Sequence, residues 1–72
     1  MIHETLLLCA AVRHNVTRRA ILAPTRGRSA VSRARAWYIV ELRKRGFTSG
    51  QIARWTGRDP GTVFYHVRKA GL

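Results

Sequence analysis

The chain has few of the features that usually stabilise a small domain apart from its core. Its single cysteine, Cys9, cannot form a disulfide within the chain, and no set of Cys and His residues has zinc-ligand spacing. Acidic residues are also scarce: 3 Asp+Glu oppose 14 Lys+Arg, which gives a formal net charge of +11. These shortages exclude a disulfide-rich scaffold and a zinc finger, and the charge favours a negatively charged partner.

Long apolar runs are missing too. The run over residues 6–12 is too short to cross a bilayer, and His3 and Glu4 precede it where a signal peptide would carry Lys or Arg. With 72 residues, 46% of them hydrophobic, the chain predicts one domain over residues 1–72 with a small core and no large catalytic cleft. We therefore expect a cytoplasmic protein with no membrane partner.

The spacing of apolar residues predicts an all-α domain of about five helices. We predict a first helix over residues 3–13, on which Cys9 is buried, with one apolar face formed by Leu7, Leu8, Ala11 and Val12. Thr17 is predicted to cap a short second helix over residues 18–22, which Pro24 ends. A third and longest helix is predicted over residues 30–45, where apolar side chains recur at helical spacing and Gly46 follows.

Two further helices are predicted near the C-terminus. Thr48 and Gln51 have the spacing of a capping box, which predicts a short helix through Trp55. The run Gly57-Arg58-Asp59-Pro60 predicts a tight turn, with Asp59 as the N-cap of a last helix that begins at Pro60 and ends near residue 70. We expect the inner face of this helix to consist of Val63, Val67 and Ala70, with Phe64 at its edge.

The spacing of Ala53, Gly57 and Val63 is typical of a helix-turn-helix. The small side chain lies where the two helices cross, the glycine allows the turn, and the valine anchors the second helix. The outward face of that second helix carries groups that suit a DNA groove: Gly61, Thr62, Tyr65, Arg68 and Lys69. The pattern therefore predicts a double-stranded DNA-binding module whose last helix enters the major groove.

A basic segment supplies the second set of candidate contacts. Four arginines lie close together without an intervening carboxylate: Arg26, Arg28, Arg33 and Arg35. We interpret them, with Arg58, as contacts to phosphates or to the minor groove rather than as a merely solvated loop. Trp37 and Trp55 are interpreted as core residues and not as base-stacking surfaces.

Residues 57–63, followed by Arg68 and Lys69, resemble the signature of the C-terminal DNA-binding domain of the bacterial replication initiator DnaA, a Trp-repressor-like helix-turn-helix. The resemblance extends back to residues 11–22 and to the basic segment. It implies base contacts in the major groove from the segment that starts at Asp59, and an arginine of the basic loop in the minor groove. Pro60, Gly61 and Tyr65 replace the His, Thr and His of that signature, so we expect a different target sequence.

Enzymatic activity is not expected, because the sequence has no phosphate-binding loop, no paired carboxylates and no nucleophile beside a base. We likewise expect no cofactor, no metal and no small-molecule substrate. The predicted role is a nucleoid-associated regulator of replication or transcription that acts by occupying a DNA site. The alternative is a protein-interaction adaptor: Leu6, Leu7 and Leu8 cannot all face one core, so the first helix is a candidate surface for a homodimer or a partner protein.

Overall fold

A computed structural model describes residues 2–23 and 28–72 of the chain. These residues form a compact all-helical domain without a strand, as predicted, with a Cα radius of gyration of 10.8 Å. The described residues contain five helices: α1 (Ile2–His14), α2 (Arg18–Leu22), α3 (Ser29–Lys44), α4 (Ser49–Thr56) and α5 (Pro60–Lys69). None of these helices combines the length and apolarity needed to cross a bilayer.

Helix α3 is the centre of the packing, since each of the other four helices contacts it. Three of its side chains, Ala34, Ile39 and Leu42, have no exposed surface. Trp37 and Trp55 are half-buried and pack against the core cluster, which agrees with their interpretation as core residues. Helices α4 and α5 also pack on each other, so the C-terminal helix pair is fixed to the rest of the domain through α3.

The predicted starts of α2 and α4 are confirmed by their hydrogen bonds. The Thr17 side chain accepts from the Ala20 backbone N–H at 3.0 Å, which caps α2. In the capping box of α4, the Gln51 N–H donates to Thr48 Oγ1 at 3.1 Å, and the Thr48 N–H donates to Gln51 Oε1 at 2.9 Å. In each bond the donor and the acceptor lie three residues apart, so the sequence near the helix start is enough to predict these boundaries.

The prediction for the buried face of α1 is confirmed for Ala11 and Leu7, which packs against the core cluster, and is wrong for Leu8 and Val12. Leu6, Ala10 and Ala11 are buried, whereas Leu8 and Val12 are 51% and 74% exposed. Cys9, expected in the core, is exposed as well. A run of consecutive apolar residues defines no unique helical face; the face that packs here includes Ala10, whose small side chain lets α1 approach its neighbours closely.

Candidate nucleic-acid interface

The turn between α4 and α5 has the geometry that the sequence predicts for a helix-turn-helix. Gly57 adopts a left-handed conformation with φ of 68° and ends α4, and its N–H donates to the Ala53 carbonyl. Ala53 is buried in the core cluster, and Val63 has no exposed surface. The small residue, the turn glycine and the anchoring valine therefore have their expected positions.

The outward face of α5 is open to solvent. Gly61, Tyr65, Arg68 and Lys69 are exposed, while Thr62 is half-buried. Together with Phe64, the four exposed residues line a shallow depression on this face. Lys69 Nζ lies 5.8 Å from the centroid of the Tyr65 ring, so the ammonium group and the aromatic face are presented together.

Two residues of α5 differ from the prediction. Ala70, expected on the inner face, follows the last helical residue and is exposed. Phe64, expected at the edge of the inner face, is 57% exposed because Val63 and Val67 alone fill the contact with the core. Sequence reasoning therefore missed Phe64 as a candidate interface residue. Its position three residues after Gly61, and so on the glycine's side of the helix, is the signal that could have identified it.

Asp59 occupies the N-cap position of α5, as predicted, but its side chain makes a different bond. The Thr62 hydroxyl donates to Asp59 Oδ1 at 2.6 Å, and the side chain makes no capping hydrogen bond to the backbone. The hydrogen bond from Thr62 is the main reason that the pKa of the Asp59 carboxyl is lowered. Asp59 and Thr62 thus form one polar pair at the start of α5.

Arg35 is not part of an exposed basic cluster, and its interpretation as a phosphate contact is wrong. The residue is only 5% exposed, and its guanidinium donates to the Ile21 carbonyl at 2.7 Å and to the Ala20 carbonyl at 3.0 Å. Burial, and then the charge of Arg58, lower the pKa of Arg35. The Ala20 carbonyl also accepts from the Ala23 N–H at 3.3 Å, and the C-terminal end of α2 attracts this cation because helix carbonyls concentrate partial negative charge there.

Arg58 has a similar role beside the turn. It is half-buried, and its Nη2 donates to the Ala23 carbonyl at 2.5 Å. Arg35 Nη2 approaches the same carbonyl at 3.4 Å. The two arginines therefore hold Ala23, which follows the last residue of α2, next to the helix-turn-helix.

Two of the remaining predicted arginines are exposed, and one is not described by the structure. Arg28 and Arg33 are exposed at the start of α3, whereas Arg26 lies outside the described residues. Arg33 and Lys69 line one groove between α3 and α5, which also contains half-buried His66. The structure thus brings Arg33 close to α5.

The acidic residue of this groove is paired with basic side chains. Glu41, which lines the same groove, accepts from Arg45 Nη1 at 2.8 Å and from Lys44 Nζ at 3.3 Å. The hydrogen bond from Arg45 is the main cause of its lowered pKa, so Glu41 remains ionised but is locally neutralised. The net positive charge of the chain is therefore available to attract an anionic partner.

No protein-family model, curated protein or solved structure matches this chain. The site is defined by the exposed face of α5, the adjoining turn and the exposed arginines of α3.

Proposed function

We propose that the chain is a double-stranded DNA-binding module that inserts α5 into the major groove. The observation that carries the proposal is the two-sided character of α5. Val63 and Val67 are buried against the core, while the opposite side presents Gly61, Tyr65 and Lys69 to solvent. A helix fixed on one side and exposed on the other can enter a groove as a rigid element.

Charge supplies most of the expected affinity. The net charge of +11 is large for a domain of this size, and Arg28, Arg33 and Arg68 are exposed. Neutralising about six phosphates would give a slope of about −5 for the logarithm of the binding constant against the logarithm of salt concentration. Binding should therefore be strong at low salt and fall steeply as salt is added.

The side chains divide into two roles under this proposal. Thr62, Tyr65 and Lys69 face base edges or the nearest phosphates, and Arg28, with Arg26 of the basic segment, contacts the backbone or the minor groove. Arg58 contributes its charge while it holds the turn against Ala23. By occupying a DNA site in this way, the chain would regulate replication or transcription.

The test compares two variants by fluorescence anisotropy on several duplexes of different sequence. Arg28→Ala is expected to weaken binding to all duplexes alike and to reduce the magnitude of the salt slope by about 1, because it removes a phosphate contact. Tyr65→Ala is expected to change the preference among duplexes, because it removes a base contact.

Arg43→Ala is the matched control for the charge. Arg28 is the N-cap of α3, and Arg43 is an exposed arginine in the last turn of that helix, about 22 Å away along its axis. It should leave the salt slope nearly unchanged. Absence of duplex binding by the unmodified chain at low salt would contradict the proposal. Stronger binding to structured RNA than to duplex DNA in a competition experiment would show that RNA is the preferred ligand.

The exposed side chains of α1 favour a second candidate, a protein-interaction adaptor or homodimer. Leu8 and Val12 are 51% and 74% exposed and lie one turn apart, so they form an apolar stripe. The double variant Leu8→Ser, Val12→Ser should then abolish self-association in sedimentation experiments. A monomeric unmodified chain whose DNA binding is unaffected by the double variant would count against this candidate.

A further inference from the structure

Aromatic side chains are distributed unevenly over the domain. The chain has 2 Trp, 2 Tyr and 2 Phe. Tyr38 is buried, and the two tryptophans and Phe47 are half-buried against the core, whereas Phe64 and Tyr65 are 57% and 60% exposed. The two exposed aromatic residues are thus neighbours on the helix that we propose to enter the groove. Exposing two neighbouring aromatic rings to water is energetically unfavourable, and a partner that covers them would remove this cost.

Gly61 keeps the space beside these rings open. Phe64 and Tyr65 follow it by three and four residues, so the glycine lies one turn before both and between their directions on the helix. Arg68 lies one turn after them in the same way. The result is a depression lined by the two rings, with a cation at its C-terminal end. The Asp59 carboxylate lies beside its N-terminal end, since Asp59 Oδ2 is 3.0 Å from the position that a Cβ of Gly61 would take.

The chemistry of this depression selects one feature of the major groove. Among the base edges exposed there, the 5-methyl group of thymine is the apolar one, and aromatic side chains are known to contact it. The cations Arg68 and Lys69 beside the rings suit the phosphates that flank such a base. A protein partner would need acidic groups to match these cations, and duplex DNA already provides both the apolar and the anionic element.

We propose that Phe64 and Tyr65 form a reader of pyrimidine 5-methyl groups in the major groove, to which Gly61 gives access. This inference rests on the proposed DNA binding and adds the substrate preference of the same helix. Duplexes rich in thymine are bound more tightly than the same duplexes with deoxyuridine, which lacks only the methyl group. Duplexes with 5-methylcytosine are bound more tightly than those with cytosine, because the methyl group occupies the equivalent place in the groove.

The experiment measures the dissociation constants of the 72-residue chain for four duplexes of equal length. Within each pair, the two duplexes differ only in the 5-methyl group of their pyrimidines. Two are A·T-rich duplexes with thymine or deoxyuridine, and two are mixed G·C duplexes with cytosine or 5-methylcytosine. Each contacted methyl group should strengthen binding about fourfold, the value expected for burying one methyl-sized apolar group. Phe64→Ala should bring both ratios close to one, whereas Tyr65→Phe should retain them because the ring remains.

Two controls separate the methyl contact from other effects. Ile2→Ala shortens another exposed apolar residue, on α1, and should preserve the methyl-dependent ratios. Gly61→Leu should reduce the ratios by filling the depression, once the Asp59 side chain, whose Oδ2 would lie 3.0 Å from the new Cβ, has moved aside. Circular dichroism verifies that each variant remains helical. Equal affinity of the unmodified chain for thymine and deoxyuridine duplexes would overturn the methyl reader and leave the DNA-binding proposal standing.

Two other outcomes are also decisive. Absence of binding to any duplex would overturn both proposals together. Preferential binding to single strands that Phe64→Ala abolishes would show that the rings stack on unpaired bases instead, and it would overturn the methyl reader.

Discussion

Replacing Arg35 with methionine removes a buried cation while it preserves most of the side chain's apolar length. In the native domain, the guanidinium donates to the Ile21 and Ala20 carbonyls at 2.7 and 3.0 Å and approaches the Ala23 carbonyl at 3.4 Å. Arg35→Met leaves these C-terminal carbonyls of α2 without the cation. We expect α2, a helix of only five residues, to be held less firmly against α3, with the buried Ile21 as its remaining core contact.

The magnitude follows from the two shorter hydrogen bonds. A hydrogen bond to a charged group contributes roughly 1.5–3 kcal/mol to the free energy of unfolding. Part of the loss is offset because the variant no longer has to bury a charge on folding. A net loss of about 3 kcal/mol in the free energy of unfolding is expected. For a domain of 72 residues, whose total stability is roughly 4–11 kcal/mol, this loss is about a quarter or more of the whole.

Urea denaturation followed by circular dichroism measures this loss, and thermal unfolding should show a decrease in Tm of more than about 10 °C. Arg33→Met is the matched control: it makes the same change two residues earlier on α3 at an exposed position. The control should alter the free energy of unfolding by less than about 0.5 kcal/mol. If Arg35→Met were as mild as the control, the hydrogen bonds to α2 would not stabilise the domain and the reasoning would be refuted.

Two further predictions concern the turn and the pH dependence. Gly57→Ala should cost at least about 1 kcal/mol of stability in urea denaturation because φ is 68°, whereas Gly50→Ala inside α4 should cost nothing. Burial first, and then the charges of Lys69, Arg35 and Arg58, lower the pKa of His66. The folded domain therefore binds this proton less tightly than the unfolded chain, so stability should decrease as the pH falls below about 6.5. His66→Gln should reduce that decrease, and an unchanged pH dependence would assign it to another group.

The helices and their boundaries could be predicted because the interactions that set them are local. Thr17 and Thr48 cap helices through residues three positions away, and Gly57 supplies a conformation that other residues rarely adopt. The outward face of α5 was predictable for the same reason, since two valines four residues apart define its inner side.

Other parts of the candidate site depended on contacts that sequence spacing does not reveal. Arg35 looked equivalent to its exposed neighbours, yet its partner carbonyls lie 12 to 15 residues away along the chain. Phe64 had the apolar character of a core residue, but the core contact of α5 was already filled by Val63 and Val67.

The order of residues therefore determined the helices, their caps, the turn and the excess of positive charge, because each is fixed by short-range hydrogen bonding, backbone conformation or composition. Only the tertiary structure decided which face of α1 is buried, which arginine ties two helices together and which aromatic residues are exposed. Those choices depend on the volume and the unpaired carbonyls that distant segments present to one another, and no periodicity within a single segment specifies them.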